Sequence, residues 1–101
     1  MSEEKIKIEV DEDLEDLIPG FLENRVADVE KLKQAHQAND FETIRSIGHS
    51  LKGVGGGYGF VRMSELGAEI ETAAKNQQID IIKSGIGELE SYLTRVDITF
   101  V

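Results

Sequence analysis

The sequence predicts an all-α protein, an antiparallel four-helix bundle with a short N-terminal helix across one end. Through most of the chain, apolar residues recur at steps of three and four, which is the period of an amphipathic helix. The chain has one proline and few stretches that alternate like strands. The predicted connections contain two to four residues, and connections this short make neighbouring helices antiparallel. We expect one domain over residues 1–101, because a chain of this length buries a single core.

The first ten residues are predicted to form an N-terminal arm ahead of the helices. Residues 5–10, KIKIEV, alternate polar and apolar side chains, which favours an extended segment. Because one isolated strand cannot make a sheet, we expect this arm to pack on the helices. The acidic residues 11–13 suit the first turn of the short helix. Pro19-Gly20 is expected to interrupt or kink the helical pattern.

The first two long helices follow from their apolar spacing. The first is predicted over residues 21–38, and its buried residues are Leu22, Val26, Val29 and Leu32. A turn at Asn39-Asp40 separates it from the second helix, which Asp40 is placed to cap. The apolar stripe of the second helix consists of Ile44, Ile47, Leu51, Val54 and Tyr58.

The third and fourth helices are predicted in the same way. The stripe of the third helix contains Met63, Leu66, Ile70 and Ala74, and residues 76–78 lead out of it. In the fourth helix the apolar residues are Ile79, Ile82, Ile86, Leu89, Leu93, Val96 and Phe100. This spacing also occurs in coiled-coil seams that join two chains. In a chain this short we assign it to the bundle core, and we expect a monomer.

The segment Ser46–Phe60, SIGHSLKGVGGGYGF, places one histidine among six glycines. At about 100° per residue, His49 points roughly 180° from the apolar stripe, so its imidazole is predicted to face solvent. A neutral imidazole carries a nitrogen lone pair that can attack phosphorus. Catalysis of phosphoryl transfer consists largely of positioning groups and neutralising charge. Lys52, one turn along, can reach phosphate oxygens, and Arg45 can do the same or guide an acidic partner.

The glycines of this segment indicate a functional requirement, because each lowers the stability of a helix by about 1 kcal/mol relative to alanine. Gly55 and Gly59 are expected to allow close packing of a neighbouring helix or a left-handed helix end. Gly53 and Gly56 lie opposite the apolar stripe, and Gly57 continues the same bare surface. This placement predicts room for another molecule to come close to the histidine.

The run His49-Ser50-Leu51-Lys52-Gly53, followed by Gly59, resembles the signature of the histidine-containing phosphotransfer (HPt) domain. The likeness continues into residues 66–71, LGAEIE, and extends back through residues 17–22, LIPGFL, so that nearly the whole chain is covered. The motif is moderately specific alone and strong in this helical context. The chain departs from the commoner form at Val54, since serine or alanine commonly follows the Lys-Gly pair.

The resemblance implies a phosphorelay intermediate. Such a domain accepts a phosphoryl group on His49 from a phospho-aspartyl receiver domain or a partner kinase, and passes it to another receiver aspartate. Glu71 corresponds to a position in the next helix where family members often carry a polar residue. If Glu71 faces His49, its carboxylate accepts the Nδ1 hydrogen and leaves Nε2 as the nucleophile. The alternative is a non-transferring module of the same fold that binds and inhibits a receiver or a histidine kinase.

The resemblance also implies what the chain needs from its partners. HPt domains have no kinase activity of their own and leave Mg²⁺ to the receiver domain, so we expect no cofactor. We predict that receiver domains or a hybrid histidine kinase dock on a surface around His49. The residues assigned to this surface are Arg45, Gly53, Val54, Gly56, Gly57 and Phe60.

Composition excludes several other classes. The absence of cysteine removes disulfides, thiol catalysis and thiolate metal sites. Twenty acidic and eleven basic residues give a net charge of −9, which argues against nucleic acid and anionic membranes as partners. A di-metal site in a bundle needs a glutamate three residues before a histidine, and neither His36 nor His49 has one. We therefore expect no metal, and we assign His36 no functional role.

The N-terminal sequence is the basis for two further expectations. It is no signal peptide, and the apolar runs of the chain are too short to span a membrane, so we expect a cytoplasmic protein. The initial methionine and acidic leader favour a free-standing domain over one that belongs to a larger kinase.

Overall fold

The structure, a computed structural model, describes residues 4–101. The elements are β1 (Ile6–Val10), a 3₁₀ helix (Glu12–Leu17), α1 (Ile18–Gln37), α2 (Phe41–Gly57), α3 (Val61–Lys75), α4 (Ile79–Arg95) and β2 (Val96–Phe100). The four α-helices pack on one another around a single apolar cluster. The predicted all-α class and four-helix architecture are confirmed.

The three connections between helices share one backbone pattern. Each contains three residues, 38–40, 58–60 and 76–78, and the middle residue of each has a positive φ. The N–H three positions beyond the last helical residue donates to a carbonyl five residues back, as in Phe60 N to Gly55 O at 2.8 Å. This is the Schellman motif, which satisfies the last carbonyls of a helix. Asp40 also caps α2, since its side chain accepts a hydrogen bond from Thr43 N at 3.2 Å, as predicted.

The backbones of α2 and α3 come unusually close to one another. A Cβ added at Gly67 would lie 2.5 Å from Lys52 N and 2.7 Å from Gly48 O. A Cβ added at Gly48 would lie 2.8 Å from both Glu71 N and Gly67 O, and one added at Gly55 would lie 2.8 Å from Ser64 N. Only glycine fits at these positions, because backbone atoms cannot give way as the end of a side chain can.

The two ends of the chain form a sheet that the sequence reading missed. β1 pairs with β2 in parallel, with Ile6 opposite Val96 and Val10 opposite Phe100. The predicted arm does pack on the helices, since Ile8 and Val10 are buried, but it is not isolated. The prediction that α4 continues to Phe100 is wrong, because α4 ends at Arg95. A step of four residues fits both periods, so Val96 and Phe100 could not distinguish a helix from a strand.

Two details of α1 also differ from the prediction. Val26 is 55% exposed, and Phe21, outside the predicted buried set, is buried instead. Leu22 is half-buried against the core. Pro19 does not kink the helix, because it lies in the first turn, where a backbone N–H would have no intrahelical partner. The chain changes there from 3₁₀ to α geometry and stays helical.

We predict that Gly67→Ala lowers the free energy of unfolding by about 1–3 kcal/mol, because the new methyl group pushes α3 away from α2. The matched control is Gly87→Ala in α4, where an added Cβ meets no atom within 4 Å. This control should be neutral or stabilising by up to about 1 kcal/mol, since alanine favours the helix. Urea denaturation of both variants makes the measurement. Equal effects at the two positions would contradict the close approach.

Candidate functional site

His49 lies on the exposed side of α2, where the helical spacing predicted it. Its side chain is 69% accessible to solvent, whereas Ile44 and Leu51 on the opposite side of the helix are fully buried. One ring nitrogen is engaged: Nδ1 lies 2.9 Å from Oε2 of Glu71 in α3. The imidazole is therefore held in orientation by the neighbouring helix while the rest of the ring remains accessible.

Glu71 joins His49 to Lys52. Its Oε1 lies 3.1 Å from Lys52 Nζ, while Oε2 lies against the histidine ring. The Lys52 ammonium, and to a smaller extent His49, holds the pKa of the Glu71 carboxyl below its ordinary range, although partial burial acts in the opposite direction. The carboxylate is thus ionised and can only accept hydrogen bonds. It follows that Nδ1 of His49 carries a hydrogen, and that the neutral form of the ring has its free lone pair on Nε2.

The close contact between the two helices places Glu71 beside His49. The Glu71 backbone lies directly over Gly48, the residue before His49, where an added Cβ would be 3.1 Å from Glu71 Cα. Gly67 sits one helical turn before Glu71 and covers the backbone at Lys52. Sequence reasoning counted Gly48 only as a cost to helix stability and gave Gly67 no role. The signal available for this contact was that Gly48 and Gly55 lie on one side of α2, seven residues apart.

Two further residues complete the surroundings of Lys52. Ser64 Oγ donates a hydrogen bond of 2.7 Å to the Lys52 carbonyl, a contact for which the sequence carried no signal. Arg45 is exposed on α2, and within residues 4–101 it makes no ion pair. Lys52 is 45% exposed, so part of its ammonium group faces solvent beside the histidine.

The glycines beside His49 form a bare surface. A Cβ added at Gly53 or Gly57 would meet no atom within 4 Å, and one added at Gly56 would lie 3.9 Å from Ser64 Oγ. These three glycines are not required for packing inside the chain. We refer to Gly53, Gly56 and Gly57 as the glycine surface.

Phe60 does not belong to this surface, and its assignment to partner binding is corrected. The side chain is fully buried and stacks on Phe21 with ring centroids 5.2 Å apart. Gly59 precedes it with φ of 87°, and the chain turns the ring into the core as α3 begins. Val54 is half-buried, and with Tyr58 it lines a surface cleft of about 420 Å³ that reaches α1. The apolar part of the surface is therefore Val54 and Tyr58.

The structure also places the remaining candidates from the sequence. His36 lies away from this site, with Nε2 3.3 Å from the Ile79 carbonyl. In residues 4–101, no three His, Asp or Glu side chains are grouped so that they could hold a metal ion. None of the helices in this range has the length and apolar character needed to cross a membrane.

Comparison with known protein families gives a match over most of the chain. The family model described as the Hpt domain matches residues 7–98, a range that contains all four helices and every residue of the site. No curated protein and no solved structure matches the chain.

We predict that Lys52→Met raises the pKa of the Glu71 carboxyl toward its ordinary range, because it removes the largest cause of the lowering. Because the pKa of Glu71 is lower in the folded state, its ionisation stabilises the fold at pH values above the ordinary glutamate pKa. This stabilisation is lost as the pH falls through the folded-state pKa. Carboxyl ¹³C NMR titration of Glu71 makes the measurement. Lys83→Met on α4 is the control and should leave the titration unchanged. An unchanged pKa in Lys52→Met would contradict the proposed cause.

Proposed function

We propose that this chain, which belongs to the Hpt domain family, carries a phosphoryl group on Nε2 of His49 between aspartates of receiver domains. Phosphotransfer in phosphorelay signalling, with receiver domains and histidine kinases as partners, is the function of this family. The observation that carries the assignment to His49 is the Glu71 carboxylate, which bonds to His49 Nδ1 and Lys52 Nζ at once.

The geometry supports attack by Nε2. The Nε2 lone pair attacks the phosphorus of an aspartyl phosphate, the P–O bond to the aspartate breaks, and a P–N bond to His49 forms. The ring becomes positively charged as this bond forms, and the Glu71 carboxylate stabilises that charge through the Nδ1 hydrogen. In the reverse direction the same cationic ring leaves as a neutral imidazole. One hydrogen bond therefore assists both the uptake and the release of the phosphoryl group.

Lys52 supplies positive charge to the transferred group. The three donors of an ammonium group allow Lys52 to keep its bond to Glu71 while another hydrogen points to a phosphate oxygen. Charge in the transition state lies mostly on the equatorial oxygens, where a cation lowers the barrier. Arg45, exposed on the same side of α2, adds a second cation for an acidic partner. We propose that the chain has no kinase activity and that Mg²⁺ is supplied by the receiver.

We predict that His49→Gln abolishes acceptance of phosphate. Receiver domains of the source organism, charged with ³²P-acetyl phosphate, are mixed with the chain, and the label on the chain is measured. His36→Gln is the matched control and should take up label like the wild type, because His36 lies away from the site. Label absent from the wild type, or equal on His49→Gln, would contradict the carrier function. A wild type that binds a receiver without taking label would favour the inhibitory module.

We predict that Gly53→Trp slows transfer from a receiver at least about tenfold while His49 stays chemically reactive. A Cβ at Gly53 meets no atom of the described residues within 4 Å, so we expect the indole to extend over the glycine surface and block the partner while the fold is kept. Phosphoramidate, a small donor that needs no docking, should label this variant at the wild-type rate. Gly87→Trp on α4 is the control for added bulk. Receiver transfer at the wild-type rate in Gly53→Trp would remove the glycine surface from the docking site.

A further inference from the structure

In residues 4–101, the strand β1 has one edge that no other strand covers. Val10 O accepts a hydrogen bond from Val101 N, and Glu12 N donates to Val101 O, each at 2.9 Å. Alternate residues of a parallel strand direct their N–H and C=O groups to the same neighbour. Because Val10 and Glu12 face β2, the backbone groups of Lys7 and Glu9 point to the opposite edge. Within residues 4–101, no other strand lies at that edge.

Open space lies beside this edge. A cleft of about 640 Å³ is lined by residues 6–9 on one side and by Gly59, Val61 and Arg62 on the other. A Cβ at Gly59 would lie 3.5 Å from Glu9 O, in ordinary van der Waals contact, so the turn before α3 lies close to this edge and carries no side chain there. Arg62 is already bonded to Glu65, Glu69 and Glu88. The charges available to an incoming strand are therefore those of β1 itself.

The charges of β1 are arranged as a complementary palindrome. Positions 5 and 7 are lysines, positions 9 and 11 are acidic, and Ile8 lies at the centre. If two copies of β1 run antiparallel about Ile8, each Lys7 faces the Glu9 of the other copy. Lys5 then faces Asp11, Ile6 faces Val10, and the two Ile8 side chains face each other. Opposite charges directly across a strand pair are stabilising.

The same register uses the free backbone groups. Lys7 and Glu9 are the residues whose N–H and C=O groups point away from β2, and in this register they become hydrogen-bonded pairs. The neighbouring even-step registers, centred on Lys7 or Glu9, are less favourable, because each places two like charges opposite each other at its centre. A shift by one residue turns the apolar face outward. Neither Lys7 nor Glu9 forms an ion pair within the described part of the chain.

We propose that two copies of this chain associate through the free edges of β1, antiparallel and centred on Ile8. The product is a four-stranded sheet in the order β2-β1-β1-β2, with two-fold symmetry. Gly57, the last residue of α2, is eight residues after His49, about 12 Å along the helix axis. The cleft beside β1 is lined by Gly59, so the paired edges lie beyond this end of α2, away from the imidazole of His49. This dimer differs from the monomer that we expected when the apolar spacing of α4 was assigned to the bundle core.

Exchanging the charges of Lys7 and Glu9 tests the register of the two β1 strands. Lys7→Glu and Glu9→Lys each place like charges opposite one another and should raise the dimer dissociation constant by about tenfold or more. The double variant Lys7→Glu/Glu9→Lys restores opposite charges and should recover the wild-type constant. Lys83→Glu, on the exposed surface of α4, changes the net charge as Lys7→Glu does and should have no effect. Sedimentation equilibrium gives the constants, and circular dichroism checks that each variant is folded.

Amide hydrogen exchange provides a second measurement. The Lys7 and Glu9 amides should exchange more slowly as protein concentration rises, because only the dimer bonds them, whereas the Val10 amide should be protected at every concentration. A wild type that stays monomeric to millimolar concentration would overturn the proposal. So would a dimer that the two single variants leave intact, or one that the double variant fails to restore. None of these results depends on phosphotransfer by His49.

Discussion

The structure depends above all on the distance between the backbones of α2 and α3. Gly48, Gly55 and Gly67 allow the two helices to touch where any side chain would meet backbone atoms at 2.5–2.8 Å. Backbone positions in a packed core are not free to adjust, so this distance fixes the relative position of everything that the two helices carry. His49 and Lys52 on α2 and Glu71 on α3 are the residues for which it matters most. A separation larger by one methyl group would pull Glu71 away from both partners.

The short distance also decides the chemistry at the site. A carboxylate shared between a cation and an imidazole is ionised, and an ionised carboxylate holds one tautomer of the ring. The site thus orients the imidazole without burying it, since His49 is more accessible than either of its supporting residues. Exposure is what the proposed carrier function requires, because the reacting nitrogen of a phosphocarrier has to enter the active site of another protein. Glu71 on α3 holds the ring in its orientation, and the solvent-exposed side of α2 leaves the ring accessible.

The sequence predicted what is periodic and local, and it failed where the choice depended on the tertiary structure. Helix spacing located the four helices and the outward direction of His49, and the turn at Asn39-Asp40 located the cap. The spacing could not assign Val96 and Phe100 to a helix or to a strand, because a separation of four residues fits both. Only the pairing with β1 selects the strand. Phe60 was misplaced because the turn at Gly59 directs its ring inward. The bridging position of Glu71 was anticipated from a family resemblance rather than from spacing, since contacts between helices leave no period in the sequence.

The glycines of α2 divide into two groups that weaken the same helix for different reasons. Gly48 and Gly55 face α3, and the packing they permit offsets their cost of about 1 kcal/mol each. Gly53, Gly56 and Gly57 cost about as much, and no contact inside the chain requires them. Folding alone would favour alanine at these three positions, because it adds helix propensity and meets no close neighbour. We therefore interpret the glycine surface as a constraint imposed from outside the chain, by a partner whose own backbone has to approach His49.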